Sequence, residues 1–238
     1  MAKPKEKIRA LAFDLGSVLV DVDFTPMFNR ILPHTDYLNL EDLRRVAPIH
    51  EHHFRSESAR RFNLGSMSSN DYYKTFCSEV GIDEGSRAHE MCSFSYDNFV
   101  HAFSNNVFSE IEEMSELIAE VSPQLEMMIM ITNINELHYD FLREKFPHVF
   151  KPFGQNIIAS YRVKLMKPDD RIYKLAIKRL ASRGIRREEA LFIDDMAENT
   201  HGAKGVKIKT FWFDRKTPLP KLMKELKGRL RGHGLNLS

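Results

Sequence analysis

Residues 9–21, RALAFDLGSVLVD, decide the fold. Two short apolar runs, RALAF at 9–13 and SVLV at 17–20, flank Asp14-Leu15-Gly16. The first reads as a buried strand with Asp14 at its carboxyl end. The same grammar recurs downstream. The apolar run 125–131 ends in Thr132-Asn133, 156–159 ends in Ser160, 190–193 ends in Asp194-Asp195, and 207–213 alternates and is rich in β-formers. Between these runs, apolar residues take helical spacing over 108–121 (Ile111, Met114, Leu117, Ile118, Val121), 136–146 and 169–182. Strands alternating with helices predict an α/β protein, a doubly wound parallel sheet with helices on both faces.

The stretch 23–106 has a different texture. It carries no convincing strand, many aromatic residues and helix-like spacing, and it is too long for a βα loop and too apolar for a linker. It predicts an α-helical domain inserted after strand one, with 1–22 and 107–238 forming the α/β core. The segment after Pro220 reads as a basic amphipathic helix with a solvated face.

Composition bounds the function. A chain of 238 residues that is 42% hydrophobic and 29% charged can bury a sizeable core, which excludes a disordered or fibrous chain. A net charge of +2 gives no field that implies nucleic acid or an anionic membrane as a partner. The longest fully apolar run, 127–131, is far below the ~20 residues of a membrane span. The basic start MAKPKEKIRA lacks the apolar stretch of a signal peptide. Two cysteines, Cys77 and Cys92, are too few for a disulfide framework or a zinc site. The expectation is a soluble, cytoplasmic protein, monomer or homodimer, with neither nucleic-acid nor membrane partners.

In an open α/β sheet, ligands bind beyond the carboxyl ends of the strands. The residues expected there are Asp14, Thr132, Asn133, Asp194 and Asp195, with Lys167 before a helix. Singly, each reads as a turn or helix-cap residue. As a set they resist that reading, because gathered carboxylates repel one another and are costly to bury. A hard divalent cation such as Mg²⁺ resolves the conflict. A lysine with a hydroxyl–amide pair suits a phosphate-like anion, and an aspartate can act as a covalent nucleophile.

FDLGSVLVD at 13–21, ITNIN at 131–135, MKPDDRIY at 166–173 and FIDDMAENTHGA at 192–203 resemble, in order and spacing, the four motifs of the haloacid dehalogenase-like (HAD) hydrolases. The resemblance implies a Rossmann-like HAD core with 23–106 as a helical cap. Within the superfamily the motifs look most like the subgroup of sugar-phosphate phosphatases typified by a glucose-1-phosphate phosphatase, and FNLGSMS at 62–68 is similar to a cap motif of that subgroup. It implies a Mg²⁺-dependent phosphatase acting on a small phosphorylated metabolite, sugar phosphates included, through an aspartyl-phosphate. Asp14 would then attack phosphorus and ligate Mg²⁺, together with the Gly16 carbonyl and Asp194 and Asp195, directly or through water. Thr132 and the Asn133 amide would hold the phosphate oxygens, and Lys167 would offset charge on nucleophile and phosphoryl group.

Two positions depart from the pattern. Gly16 stands where most phosphatases of the superfamily carry a second Asp as general acid and base, although the subgroup shares the glycine. Asp23 and the histidines of IHEHHF (His50, His52, His53) are candidates for that role, each more simply read as a solvated cap residue. Lys164 stands where a glycine is expected. The alternatives are a haloacid dehalogenase, against which Gly16 and the Asp194-Asp195 pair argue, and a catalytically weak phosphate-binding protein, which Gly16 favours.

Overall fold

The computed structural model describes residues 7–47, 49–50, 53–54, 56–82, 95–104 and 107–238. Nine strands are present among them: β1 (Ala10–Phe13), β2 (Val20–Asp23), β3 (Ile49–His50), β4 (His53–Phe54), β5 (Val107–Glu110), β6 (Met127–Thr132), β7 (Ile157–Ala159), β8 (Ala190–Asp194) and β9 (Lys209–Trp212). The chain divides into two compact units. One comprises Met1–Asp21, Glu110–Asn133 and Phe146–Ser238, and the other Val22–Ser109 with Ile134–Lys145.

The first unit is built on a five-stranded sheet in the order β7-β6-β1-β8-β9. Every neighbouring pair is parallel, and β1 sits at the centre with Ala10 opposite Met127 on one side and Ala190 on the other. The chain steps outward from β1 through β6 to β7, then returns to the far side of β1 for β8 and β9. That reversal places a crevice beside the carboxyl end of β1. Strands β1, β6 and β8 are buried along their whole length, as expected of parallel strands covered by helices on both faces. On one face Ala10, Ala12, Ile129, Ile131 and Phe192 meet the helices Asp170–Ala181 and Ala197–Gly205 through Ile172, Tyr173, Ala176, Leu180 and Ala203. On the other face the Phe13 ring stands edge-on to Phe153 at 5.9 Å.

The second unit is helical, with helices Thr25–Ile31, Leu40–Val46, Glu57–Asn63, Ser69–Glu79 and Tyr96–Ser104. Asn39, Ser56 and Ser68 cap three of them by accepting a main-chain N–H three residues ahead. Its core is aromatic, with Phe62 stacked on Tyr72 at 4.5 Å and Phe99 on Phe103 at 5.1 Å. The helix Glu136–Lys145 belongs to this unit: Leu137 packs against the aromatic cluster and His138 bonds the Phe103 carbonyl. The unit division thus takes in a helix that the 107–238 expectation places in the core.

The structure corrects the sequence reading at three element boundaries. Residues 107–110 form β5, paired with β2, and the helix expected from 108 is Glu112–Val121. The insertion holds a hairpin, β3 antiparallel to β4, whose two-residue strands are too short to produce periodicity. The last helix, Leu219–Arg231, starts one residue before Pro220, which occupies the first turn where its missing N–H is harmless. Cys77 is a buried thiol, and Cys92 lies outside the described residues. Among the described residues no helix is long and apolar enough to cross a membrane.

Candidate active site

Asp14 follows the last residue of β1, where parallel pairing ends and the chain must turn. Its main-chain N–H donates to the Ile193 carbonyl at 2.9 Å, tying the turn to β8. The turn closes through Ser17 N–H to the Val20 carbonyl (2.7 Å) and the N–H groups of Leu19 and Val20 to the Leu15 carbonyl (2.9 and 3.0 Å). These bonds run through the neighbours of Gly16 and not through its own carbonyl. Ser17 takes the left-handed conformation, with φ 57°.

Lys167 joins two of the carboxylates. Its ammonium lies 2.8 Å from Asp14 Oδ1 and 2.6 Å from Asp194 Oδ2, and it is 3% exposed. Asp14 Oδ1 also accepts the Leu15 N–H at 2.7 Å. Asp194 Oδ1 accepts from Met196 N–H at 2.8 Å and from Asn199 Nδ2 at 2.9 Å. Carboxylate oxygens of Asp14, Asp194 and Asp195 all lie within 4.8 Å of one another.

Three carboxylates thus share one ammonium. Burial pushes the Asp14 carboxyl above its ordinary range, against the pull of Lys167. Burial likewise lifts Asp194 to about 6, and burial with the Asp194 charge lifts Asp195 to about 6. Burial alone would draw the Lys167 ammonium down, but Asp14 and Asp194 hold it above the ordinary lysine value. The donor set is all oxygen and carries excess negative charge, which is the chemistry a hard divalent cation requires.

Thr132, buried at the end of β6, and Asn133 complete the set. The Asn133 carboxamide is engaged on both sides: its Oδ1 accepts the Lys167 N–H at 2.8 Å and its Nδ2 donates to the Lys167 carbonyl at 2.9 Å. The structure therefore brings all seven expected residues, Asp14, Gly16, Thr132, Asn133, Lys167, Asp194 and Asp195, to the carboxyl ends of β1, β6 and β8. It gives the Asn133 side chain a partner that the sequence does not indicate.

Lys164 explains the expected glycine. It ends the short helix Ser160–Val163 at φ 58°, ψ 29°, the left-handed region that glycine enters without cost. Two further residues, Asn199 and Gly202, lie inside the FIDDMAENTHGA stretch without being singled out by it. Asn199 holds Asp194 from the first turn of the helix Ala197–Gly205, and its own carbonyl accepts the Tyr173 hydroxyl at 2.8 Å. A Cβ on Gly202 would meet the Pro168 carbonyl oxygen at 2.6 Å, so only glycine lets this helix approach the chain next to Lys167.

Of the proton-donor candidates, Asp23 is held below the ordinary carboxylate range by hydrogen bonds from Thr25, which leaves it ionised at neutral pH. His50 and His53 lie on β3 and β4, and His52 lies outside the described residues.

Comparison with known proteins agrees with this fold. The family model of haloacid dehalogenase-like hydrolases matches residues 8–206. A HAD family enzyme from Bacteroides thetaiotaomicron, crystallised with magnesium and inorganic phosphate, superposes with a TM-score of 0.68 at 19% identity, covering 90% of this chain and 98% of that one. A predicted HAD-like family hydrolase from Porphyromonas gingivalis gives 0.67 at 20% identity, over 93% and 98% of the two chains. The L-2-haloacid dehalogenase of Xanthobacter autotrophicus, with chloropropionic acid covalently bound, gives 0.58 at 17% identity, over 93% and 83%. At these identities the solved structures speak for the fold, and the family model, which spans most of the chain, for its membership. The chain belongs to the haloacid dehalogenase-like hydrolase family.

Proposed function

We propose that this protein is a Mg²⁺-dependent phosphatase of small phosphorylated metabolites, sugar phosphates among them, working through an aspartyl-phosphate on Asp14. The observation that carries the reading is the group of three carboxylates gathered at the strand ends, two of them buried and joined by the Lys167 ammonium.

Asp14 Oδ1 is occupied by the Leu15 N–H and the Lys167 ammonium, which leaves Oδ2 to attack phosphorus. The P–O bond to the leaving group breaks as the Asp14–phosphorus bond forms, and the departing oxygen takes a proton from solvent water. Water then attacks phosphorus, releasing inorganic phosphate and restoring Asp14. Lys167 favours the ionised form of Asp14 against the effect of burial and offsets negative charge on the phosphoryl oxygens. Thr132 and the main-chain amide of Asn133 are assigned to those oxygens, while the Asn133 carboxamide fixes the main chain of Lys167. Asp14, the Gly16 carbonyl, Asp194 and Asp195 would hold Mg²⁺, which when bound supplies positive charge to the transferring phosphoryl group. Both oxygens of Asp194 already accept hydrogen bonds, so Asp195 presents the freer carboxylate to the metal. The helical insertion is assigned the role of a cap.

The test is phosphate release from a panel of phosphate esters with Mg²⁺ or with EDTA, using wild type and Asp14→Asn. Release should require Mg²⁺ and disappear in the isosteric variant, whose circular dichroism should match wild type. Turnover by Asp14→Asn would exclude the covalent route, and phosphate release undiminished in EDTA would exclude the metal. No release from any ester would favour a phosphate-binding protein that lost its general acid at position 16.

A further inference from the structure

Three large apolar residues are exposed among the described ones, Leu38, Val46 and Trp212, and only Trp212 belongs to the core unit. It is also the single tryptophan of the chain. Its Cα is in register with Asp194, and its indole Nε1 donates to the Asp195 carbonyl at 2.8 Å. The indole is thus fastened to the metal-ligand loop while the residue stays 50% exposed. A single exposed apolar side chain is ordinary, and what sets this one apart is its hydrogen bond to the loop that carries Asp195. A ring already tethered loses little further freedom on binding.

Three residues on, Arg215 reaches back to β2, the strand that follows the turn after Asp14. Its guanidinium lies 2.7 Å from Asp21 Oδ1 and 5.9 Å from the centre of the Phe213 ring. Both partners keep water access, with side chains 34% and 45% exposed, and such a surface pair adds little stability. It retains donors on the guanidinium and acceptors on the carboxylate for a further partner.

We propose that Trp212 and the Asp21–Arg215 pair form a leaving-group subsite on the core unit that takes the hydroxylated ring of a sugar phosphate. The inference rests on the phosphatase reading above. The indole offers a flat apolar face to the C–H face of the ring, and the ion pair donates to and accepts from its hydroxyls. A planar aromatic leaving group would use the indole and not the pair. An open-chain polyol would use the pair and not the indole.

The experiment has two arms. The first takes whichever of glucose 1-phosphate, glucose 6-phosphate and ribose 5-phosphate wild type hydrolyses fastest, and compares its kcat/KM with those of acetyl phosphate and p-nitrophenyl phosphate. In Trp212→Ala the ratio of sugar phosphate to acetyl phosphate should fall about tenfold, mainly through KM, and Trp212→Phe should recover most of it. Arg215→Gln should lower the same ratio about threefold. The second arm follows the Trp212 fluorescence of Asp14→Asn in Mg²⁺ buffer. The sugar phosphate should shift the emission to the blue and reduce acrylamide quenching, whereas inorganic phosphate should do neither.

Equal losses on all substrates in both Trp212 variants would make Trp212 a positioning residue for Asp195 and overturn the subsite. So would a larger loss on p-nitrophenyl phosphate than on the sugar phosphate, or an indole that does not respond to a sugar phosphate wild type hydrolyses. Hydrolysis of acetyl phosphate with none of the three sugar phosphates would overturn the subsite alone, leaving the phosphatase reading intact. Hydrolysis of no ester at all would overturn both.

Discussion

In the core unit the buried polar side chains include a charged group: Lys167 sits between Asp14 and Asp194 at 2.8 and 2.6 Å, with the half-buried Asp195 beside them. In the inserted unit a buried chain of polar groups is neutral. Asn63 Nδ2 donates to the Ala59 carbonyl at 2.9 Å, and Asn135 Nδ2 faces both Asn63 Oδ1 (3.4 Å) and His138 Nδ1 (3.2 Å). The Asn135 Oδ1 accepts the His138 main-chain N–H at 3.0 Å, and His138 Nε2 donates to the Phe103 carbonyl at 2.8 Å. The neutral chain satisfies itself, donor to acceptor, and serves the fold. The charged group does not: Lys167 contacts two of the three acids, and Arg215, which also acts on Asp195, is itself paired with Asp21, so negative charge is left that a metal and a phosphoryl group can use. Buried polarity that closes on itself reads as structure, and buried polarity left in excess reads as a site.

The comparison breaks most severely at Lys167. Lys167→Met keeps the length of the side chain and removes the charge, leaving Asp14 and Asp194 buried without a partner. Breaking a buried ion pair in this way costs about 3–5 kcal/mol. Urea denaturation should show a loss of that size, and phosphate release should vanish with it. A variant as stable as wild type would mean that the two carboxylates do not depend on the ammonium, and the contrast between the units would fall.

On the other side of the comparison stands His138. Its ring is stacked on Phe103 at 4.4 Å and is satisfied only in the neutral form, since the Asn135 Nδ2 donor faces Nδ1. Burial lowers its pKa from 6.5 to about 4, against the smaller opposing effect of the Phe103 carbonyl. The folded value lies below the unfolded one, so between them the unfolded chain binds more protons. The stabilisation is fully present above pH 6.5 and is lost as the pH falls to about 4, a change of about 3 kcal/mol. His138→Phe removes the titration while lowering baseline stability. The stability difference between wild type and variant, measured by denaturation at several pH values, should therefore narrow across that window. A constant difference would show that His138 carries a proton inside the folded unit.

What the sequence discloses follows the same division. Most of the core-site residues are legible because they follow a strand, and strand ends in a parallel sheet converge by topology: the strands at 10–13, 127–132 and 190–194 bring Asp14, Thr132 and Asp194 together whatever surrounds them, while Lys167, in a loop before a helix, is legible only through the motif around it. The pair of hydrogen bonds between the Asn133 carboxamide and Lys167 is not legible, because it engages main-chain atoms 34 positions away through a side chain that equally suits a helix cap. Gly202 is hidden for a related reason: its meaning is the missing Cβ opposite the Pro168 carbonyl, a contact that no periodicity encodes. In the inserted unit, helical spacing gives the helices but not the hairpin β3–β4, nor the attachment of Glu136–Lys145 to that unit. The latter depends on which hydrophobic face finds a partner, and the spacing of Leu137, Phe141 and Leu142 fits either unit.

The smallest expected effect concerns Lys164, and it sharpens the contrast between residues that serve chemistry and residues the backbone merely tolerates. At φ 58° its Cβ crowds the following carbonyl, a conformation that costs an L-residue about 1 kcal/mol and glycine nothing. Glycine loses more backbone freedom on folding, which offsets part of that gain. Lys164→Gly should therefore stabilise the protein by no more than about 1 kcal/mol, raising Tm by a few degrees, for a chain of this size about 2–4 °C. The turn ends the helix Ser160–Val163 and leads to Lys167, so its geometry should survive the change and kcat/KM should stay within about twofold of wild type. A loss of stability would mean that the lysine side chain contributes more than its backbone costs. The departure from glycine at this position would then be a stabilising feature of this chain, not a tolerated one.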